Sequence, residues 1–320
     1  MKKIAVLSGG VSSERVISIK TAKQLSEALD KNLFQAFLAD IGKNSWDILI
    51  EDKKYPIDKN DFSAIIEGEK IKFDYALIAI HGTLGEDGLL QAYFNMIGIP
   101  YSGCDVLTSA VCFNKNFCKQ YLKPYNITMA KSVMIKADQD YDEKQIIDYL
   151  GLPVFVKPNT AGSSFGISKV KNIVDLNKAI KNAFTEDSFV MIESFIDGIE
   201  VSCGVFKSSK KQYVFPLTEI DTKNEFFDYE AKYTPGVTDE ITPARISDEI
   251  TAKVQEIASE VYDILNCKGL VRIDFIITNN TPHLLEVNTV PGMSAESIVP
   301  QQIRAAGYTV SQILTEMILD

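Results

Sequence analysis

The chain is poor in histidine, with only His81 and His283 among 320 residues. That excludes a histidine-rich zinc centre. Its five cysteines, Cys104, Cys112, Cys118, Cys203 and Cys267, are an odd number and form no C-x-x-C pair. The set reads as reduced thiols in a cytoplasmic protein, not as a disulfide framework. No apolar run reaches the ~18 residues of a membrane span. The opening MKKIAVLSGG has the lysines of a signal peptide, but its apolar run is short and ends in Ser-Gly-Gly. Positive charge is scarce as well: net charge is −10 and the pI about 4.9. Nucleic acid and anionic membranes are therefore poor partners, although a small, locally basic phosphate site is still allowed. Internal repeats and low-complexity segments are absent. No G-x-G-x-x-G follows the first strand and no Gly-Lys-Ser/Thr ends a glycine loop, so neither a Rossmann dinucleotide site nor a Walker A loop is supported.

Apolar residues are plentiful, at 46% of the chain. Single cores stop growing near ~250–300 residues, so two or three domains are expected. KKIAVLSGG reads as a strand ending in a glycine turn, and Ser12 or Ser13 as the cap of a helix that follows. YALIAIHG (75–82) is a second buried strand, and GLLQAYFNMIG (88–98) a helix behind it. Strands alternating with helices predict a parallel, doubly wound sheet with ligands at the carboxyl ends of its strands. From about residue 104 the pattern becomes α+β: helical TSAVCFNKNFCKQYLKPY and YDEKQIIDYLG, then several short strands. Residues 221–244 are polar, with Gly and Pro, and long enough to suggest a lid.

The chemistry-bearing pattern lies near the end. GLVRIDFII and HLLEVNTV are joined by TNNTP, which predicts a hairpin. With its centre near Asn280, Asp274 lies opposite Glu286 and Arg272 opposite Asn288. Side chains two apart share a face, so these four converge. Opposed carboxylates destabilise a sheet unless a cation compensates. Oxygen donors from Asp, Glu and Asn suit Mg²⁺, which is commonly completed by substrate phosphates. A solvated polar face with an Arg–Asp pair is the alternative. FVKPNTAGSSFGISKV (155–170) offers Lys157 and a Gly/Ser loop whose N–H groups can face an anion. Taken alone it is also an ordinary turn, and Lys115 alone is also a surface lysine. In MIESFIDGIE, Glu193 and Glu200 bracket apolar Phe195 and Ile196, as an adenine and ribose site requires. A hairpin with exposed acids fits the same residues.

In this order the pieces resemble the D-alanine–D-alanine ligase family of the ATP-grasp superfamily, nearly end to end. The motifs are HGTLGEDG (81–88), VKPNTAGSSFGISKV (156–170), FFDYEAKY (226–233), RID (272–274) and EVNTVPGMS (286–294), supported by GGVSSERVIS (9–18). The resemblance implies an α/β, three-domain ATP-grasp architecture. Residues 1–103 would form a doubly wound substrate-binding domain, 104–194 a central α+β lid domain, and 195–320 a C-terminal α+β catalytic domain. It implies ATP-dependent joining of two D-alanines for peptidoglycan precursors, with two Mg²⁺ ions that Mn²⁺ can replace, and a homodimer.

Residue by residue, the resemblance makes Asp274, Glu286 and Asn288 the metal ligands. Lys115, Lys157, Ser163 and Ser164 would contact the ATP phosphates, Glu193, Phe195 and Ile196 the adenine, and Glu200 the ribose. Glu14 would hold the first D-alanine's ammonium, linked through Ser163 and Tyr233, with His81 beside its carboxylate. Arg272 and the Gly292 N–H would form the oxyanion site. Lys232 and Ser297 would bind the second carboxylate. The chain departs from the family pattern at Asn114-Lys115, where Asp-Lys is usual, and at Thr160-Ala161 and Phe227. Ligases that take D-lactate or D-serine second, other ATP-grasp enzymes and a periplasmic sugar-binding module are the rival readings.

Overall fold

A computed structural model describes residues 1–12, 14–160, 166–222 and 237–320. Ser13, Ser163 and Ser164 lie outside the described residues, as do Phe227, Lys232 and Tyr233 of the long polar segment.

Three sheets organise the chain. In the first, Lys2–Gly9 pairs in parallel with Phe34–Ile41 on one side and Tyr75–Ile78 on the other. A strand covered on both faces reads as one apolar run, as IAVL does. The crossover is the helix Arg15–Ala28. Its N-cap is Glu14, not a serine; the Ser12 hydroxyl instead donates to the His81 carbonyl at 3.1 Å. The parallel arrangement extends over three strands only. Trp46–Ile50, Lys53–Asp58, Ser63–Ile66 and Glu69–Lys72 continue the sheet as an antiparallel meander, to seven strands. The sheet is therefore mixed. Lys53–Asp58 and Glu69–Lys72 are mostly exposed, so they carry no apolar run to betray them.

The second sheet is antiparallel, in the order Ser168–Val170, Val154–Pro158, Phe189–Ser194, Ser132–Lys136. It packs on the helices Glu143–Leu150 and Leu176–Ala183 through Ile146, Val156, Ile180 and Ile192. The third sheet has the hairpin Val271–Thr278 and Thr281–Asn288 at one end, with Ile199–Lys207 beside it. At the other end Thr218–Thr222 pairs with Thr238–Ile241. Both flanks of the expected 221–244 lid are therefore strand.

The helical stretch near 108–125 is two helices, Val106–Phe113 and Lys115–Leu122. Asn114 ends the first and caps the second, its side chain accepting from the Phe117 N–H at 2.9 Å. Cys104, Cys112, Cys118 and Leu122 pack into the core of the third sheet with Val201, Ile273 and Phe275. Residues 104–122, expected with the central unit, thus share the C-terminal core. The final helices Ile298–Ala305 and Val310–Leu319 cross back onto the first sheet, where Ile303, Ile313 and Leu314 meet Ile4, Val6 and Leu77. No helix among the described residues is long and apolar enough to cross a membrane.

Candidate active site

The C-terminal hairpin turns at Asn279 and Asn280, whose φ angles are +48° and +58°. Two positive φ values make the tight hairpin turn that matches strand twist, and asparagine tolerates them. From that turn the ladder pairs Thr278 with Thr281 and Phe275 with Leu284. Continued regularly, it would set Leu285 against Asp274 and point Glu286 into the core. A bulge intervenes: Asp274 faces Glu286, and Arg272 faces Asn288. Leu285 is the extra residue, so Leu284 and Val287 are both buried while Glu286 and Asn288 share the other face. The expected pairing is present: the tight turn sets the ladder one residue off the expected register, and the bulge restores it.

On that face Asp274 is almost fully enclosed. Arg272 donates from Nη2 to Oδ2 at 2.7 Å and from Nε to Oδ1 at 2.9 Å. Ser202 Oγ donates to Oδ1 at 2.6 Å and Asn288 Nδ2 to Oδ2 at 2.9 Å. Burial works against the Arg272 charge, but Asp274, Glu286 and Glu240 outweigh it and hold the guanidinium protonated. Among the described residues, no three His, Cys, Asp or Glu side chains converge to hold a metal. The donor set Asp274, Glu286 and Asn288 is nonetheless all oxygen and carries two carboxylates, which suits a hard cation completed by phosphate oxygens. A cation binding Asp274 must displace a donor of Arg272, Ser202 or Asn288.

The carboxyl ends of the first sheet face this hairpin. His81 Nδ1 donates to the Val290 carbonyl at 3.0 Å, because a carbonyl can only accept. That leaves Nε2 to accept from Thr21 Oγ1 at 3.4 Å. Burial lowers the pKa of His81 against the opposing pull of Glu14, so the ring is neutral. Gly82 has φ +72°, and a Cβ there would lie 2.9 Å from Glu14 Oε2. Glycine is what lets the buried Glu14 carboxylate approach. The Gly82 N–H donates to Glu86 Oε2 at 3.0 Å. Burial and then the Glu14 charge push Glu86 up to about 8. At Gly292 a Cβ would meet Ser297 Oγ at 2.9 Å. Ser297 caps the helix Ile298–Ala305, whose N-terminus favours an anion.

The second sheet supplies the remaining wall. Glu193 binds Lys157 Nζ at 2.5 Å through one oxygen and Lys119 through the other. Phe155 and Phe195 lie with ring centroids 5.9 Å apart, and Lys169 Nζ sits 3.8 Å over the Phe195 ring.

The second and third sheets and the segments at the carboxyl ends of the first line one cavity of about 920 Å³. Glu14, His81, Lys115, Lys157, Glu193, Phe195, Ile196 and Glu200 lie on it. So do Arg272, Asp274, Glu286, Asn288, Gly292 and Ser297. Ser163, Ser164, Lys232 and Tyr233 fall outside the described residues. The sequence reading missed Lys119, Ser202, Glu86 and Glu240. Lys119 had a signal, since it lies four residues beyond Lys115 and hence on the same helical face. Glu86 stands inside HGTLGEDG, but nothing in that motif announces its burial.

The comparisons with known proteins agree from end to end. Residues 3–104 match the family model described as D-ala D-ala ligase N-terminus, and 122–319 the one described as D-ala D-ala ligase C-terminus. A D-alanine–D-alanine ligase of Azobacteroides pseudotrichonymphae genomovar. CFP2 is 50% identical over 321 residues, covering 99% of each chain. Among solved structures, the VanG D-Ala:D-Ser ligase of Enterococcus faecalis superposes with a TM-score of 0.87 at 33% identity, over 99% of this chain and 98% of that one. The D-alanine–D-alanine ligase of Bacillus anthracis complexed with ATP gives 0.80 at 32% identity, over 100% and 97%. The chain belongs to the D-alanine–D-alanine ligase family.

Proposed function

We propose that this chain joins two D-alanines into D-alanyl-D-alanine at the expense of ATP, for peptidoglycan precursors. The carrying observation is the single cavity into which three sheets place a lysine-rich wall, an acid-bearing hairpin and a neutral histidine beside Glu14. Its volume suits a nucleotide with small substrates.

A carboxylate is a poor acyl donor. The γ-phosphoryl group passes from ATP to the first D-alanine's carboxylate, giving D-alanyl phosphate and ADP. Such transfer depends on positioning and charge neutralisation. Lys115 and Lys157 hold phosphate oxygens, with Ser163 and Ser164 beside them. Glu193, Phe195 and Ile196 hold adenine, and Glu200 the ribose. Asp274, Glu286 and Asn288 would hold two Mg²⁺ ions, or Mn²⁺, which supply charge neutralisation for the phosphates. Glu14 holds the first ammonium, with Ser163 and Tyr233 linked to it, and neutral His81 stands by the carboxylate. The second D-alanine, its carboxylate on Lys232 and Ser297, loses a proton and attacks the acyl carbon, and phosphate leaves. Arg272 and the Gly292 N–H stabilise the tetrahedral oxyanion.

The three-domain division at 103/104 and 194/195, a homodimer and a cytoplasmic location complete the reading. The five free cysteines support that location. The test is ADP release coupled to D-alanine. Release that needs D-alanine, with dipeptide as product, supports the reading, and release without it overturns it. D-lactate or D-serine as second substrate is the alternative. Preferential use of either in the same assay would replace D-alanine in that role, and Tyr233→Phe is expected to shift the ratio toward D-lactate.

A further inference from the structure

Glu193 does not carry one counter-ion but two, one on each carboxylate oxygen. Lys157 comes from the neighbouring strand Val154–Pro158, and Lys119 from the helix Lys115–Leu122. All three side chains are buried, at 12% exposure for Lys119, 8% for Lys157 and 7% for Glu193. The triad therefore holds one surplus positive charge out of water. Such a surplus is costly unless an anion joins it. Burial lowers the pKa of Lys119, the Glu193 carboxylate opposes that, and Lys157's like charge adds to the lowering. The two lysines are not equivalent. Lys157 lines the cavity and Lys119 does not. Lys119 also donates to the Ala130 carbonyl at 2.7 Å, which ties it to the cavity wall from behind. Among the described residues, Glu193 is the only side-chain partner of Lys157.

We propose that Lys119 is a positioning residue: it keeps Glu193 neutralised and in place, so that Lys157 can leave that carboxylate for the nucleotide phosphates. This rests on the reading of Lys157 as a phosphate contact and Glu193 as an adenine contact. Without Lys119, a single lysine would have to serve both ends of ATP. Held on Glu193, it leaves the phosphates short of a cation. Drawn to the phosphates, it leaves a bare buried carboxylate beside the base. With Lys119 present, the exchange of partners leaves Glu193 with one ammonium and gives the phosphates the other.

The test uses five forms of the full chain: wild type, Lys119→Met, Lys119→Arg, Glu193→Gln and the Lys119→Met/Glu193→Gln double variant. Each is assayed for ATP and D-alanine KM, and for inhibition by adenosine and by inorganic tripolyphosphate. Lys119→Met retains a neutral Glu193–Lys157 pair and keeps the straight side chain. It should raise the KM for ATP and the inhibition constant of tripolyphosphate about tenfold to a hundredfold, the range for one charge-assisted contact. Adenosine inhibition and the D-alanine KM should stay within about twofold, and Lys119→Arg should restore most of the loss. The double variant decides the route. Removing the carboxylate frees Lys157, so tripolyphosphate inhibition should return toward wild type. If the double variant is as weak as Lys119→Met, the lysine acts only through its distant charge and the proposal fails. Uniform loss for adenosine, tripolyphosphate and D-alanine alike would mark a merely structural lysine and overturn it too. If Glu193→Gln leaves adenosine inhibition unchanged, the adenine reading fails instead, and the tripolyphosphate series still judges Lys119.

Discussion

Two buried ion clusters face the same cavity, and they differ in sign. At the second sheet, two lysines share one carboxylate, Glu193. At the hairpin, one arginine stands among Asp274, Glu286 and Glu240. Among the described residues the first cluster carries more cations than anions, and the second more anions than cations. Each is complemented by half of what a metal–nucleotide complex brings: phosphate for the lysines, a divalent ion for the acids. The difference teaches that neither cluster is arranged to be most stable empty. A self-sufficient ion pair would have matched its charges one to one.

The sharpest way to break that contrast is at the acid end. Glu286→Gln keeps the shape and removes one negative charge. Turnover should fall roughly 1000-fold or more, because a bound ion is worth several kcal/mol to the transition state. Circular dichroism should show an unchanged fold. Near-normal activity with magnesium would mean the hairpin face holds no ion. Next in size is Arg272→Met, which removes the cluster's only cation among the described residues. Loss of one oxyanion donor predicts a kcat lower by ~10²–10³-fold. Leaving Asp274 without its guanidinium should also destabilise the fold by ~3–5 kcal/mol. If the acids are then short of two charges, added magnesium should raise the Tm of the variant more than that of wild type. Equal increments would argue that Arg272 and the ion do not share the same carboxylates.

A smaller effect is expected at Ser202, whose hydroxyl donates to Asp274 from the neighbouring strand. Ser202→Ala removes one neutral donor worth ~1 kcal/mol, so activity should drop about fivefold, chiefly through weaker metal dependence. A change in D-alanine KM alone would place Ser202 outside this network.

The smallest effect concerns pH. Glu86 lines the same cavity, with its pKa raised to about 8 by burial and then by Glu14. The folded state therefore holds a proton that the unfolded chain releases near the ordinary carboxylate range. The stability tied to that proton is fully present at acid pH and is lost as pH rises through about 8. Glu86→Gln mimics the protonated form. Its Tm in ligand-free protein should match wild type near pH 5 and exceed it increasingly toward pH 9. A constant offset across that span would show that Glu86 does not titrate there.

Much of this site could be read in the sequence because strand alternation fixes faces. Glu286 and Asn288 had to share a face, as had Arg272 and Asp274, whatever the details of the turn. What alternation cannot give is offset. The bulge at Leu285 uses an apolar residue that looks like any strand residue, and only the ladder reveals it. The first sheet failed differently. Its meander presents Lys53, Lys54, Glu69 and Lys70 to water, so its strands lack the apolar run that marked Lys2–Gly9. Lys119 was hidden because a lysine on an amphipathic helix is usually solvated. Its carboxylate partner lies 74 residues away in sequence, where no local pattern can point to it.

The core shared by the first strand and the last helix carries a consequence for synthesis. Ile4 and Val6 pack with Ile313, Leu314 and Ile318. At ribosomal rates of ~5–20 residues per second, roughly 15–60 s separate the emergence of those two groups. Throughout that interval the face that the helix Arg15–Ala28 covers in part lacks the rest of its cover and remains open to chaperones or to neighbouring chains. The amino-terminal segment is the first made, but its packing is among the last to be completed. A nascent chain arrested before residue 310 should therefore expose more of that apolar face, and addition of residues 310–320 should bury it.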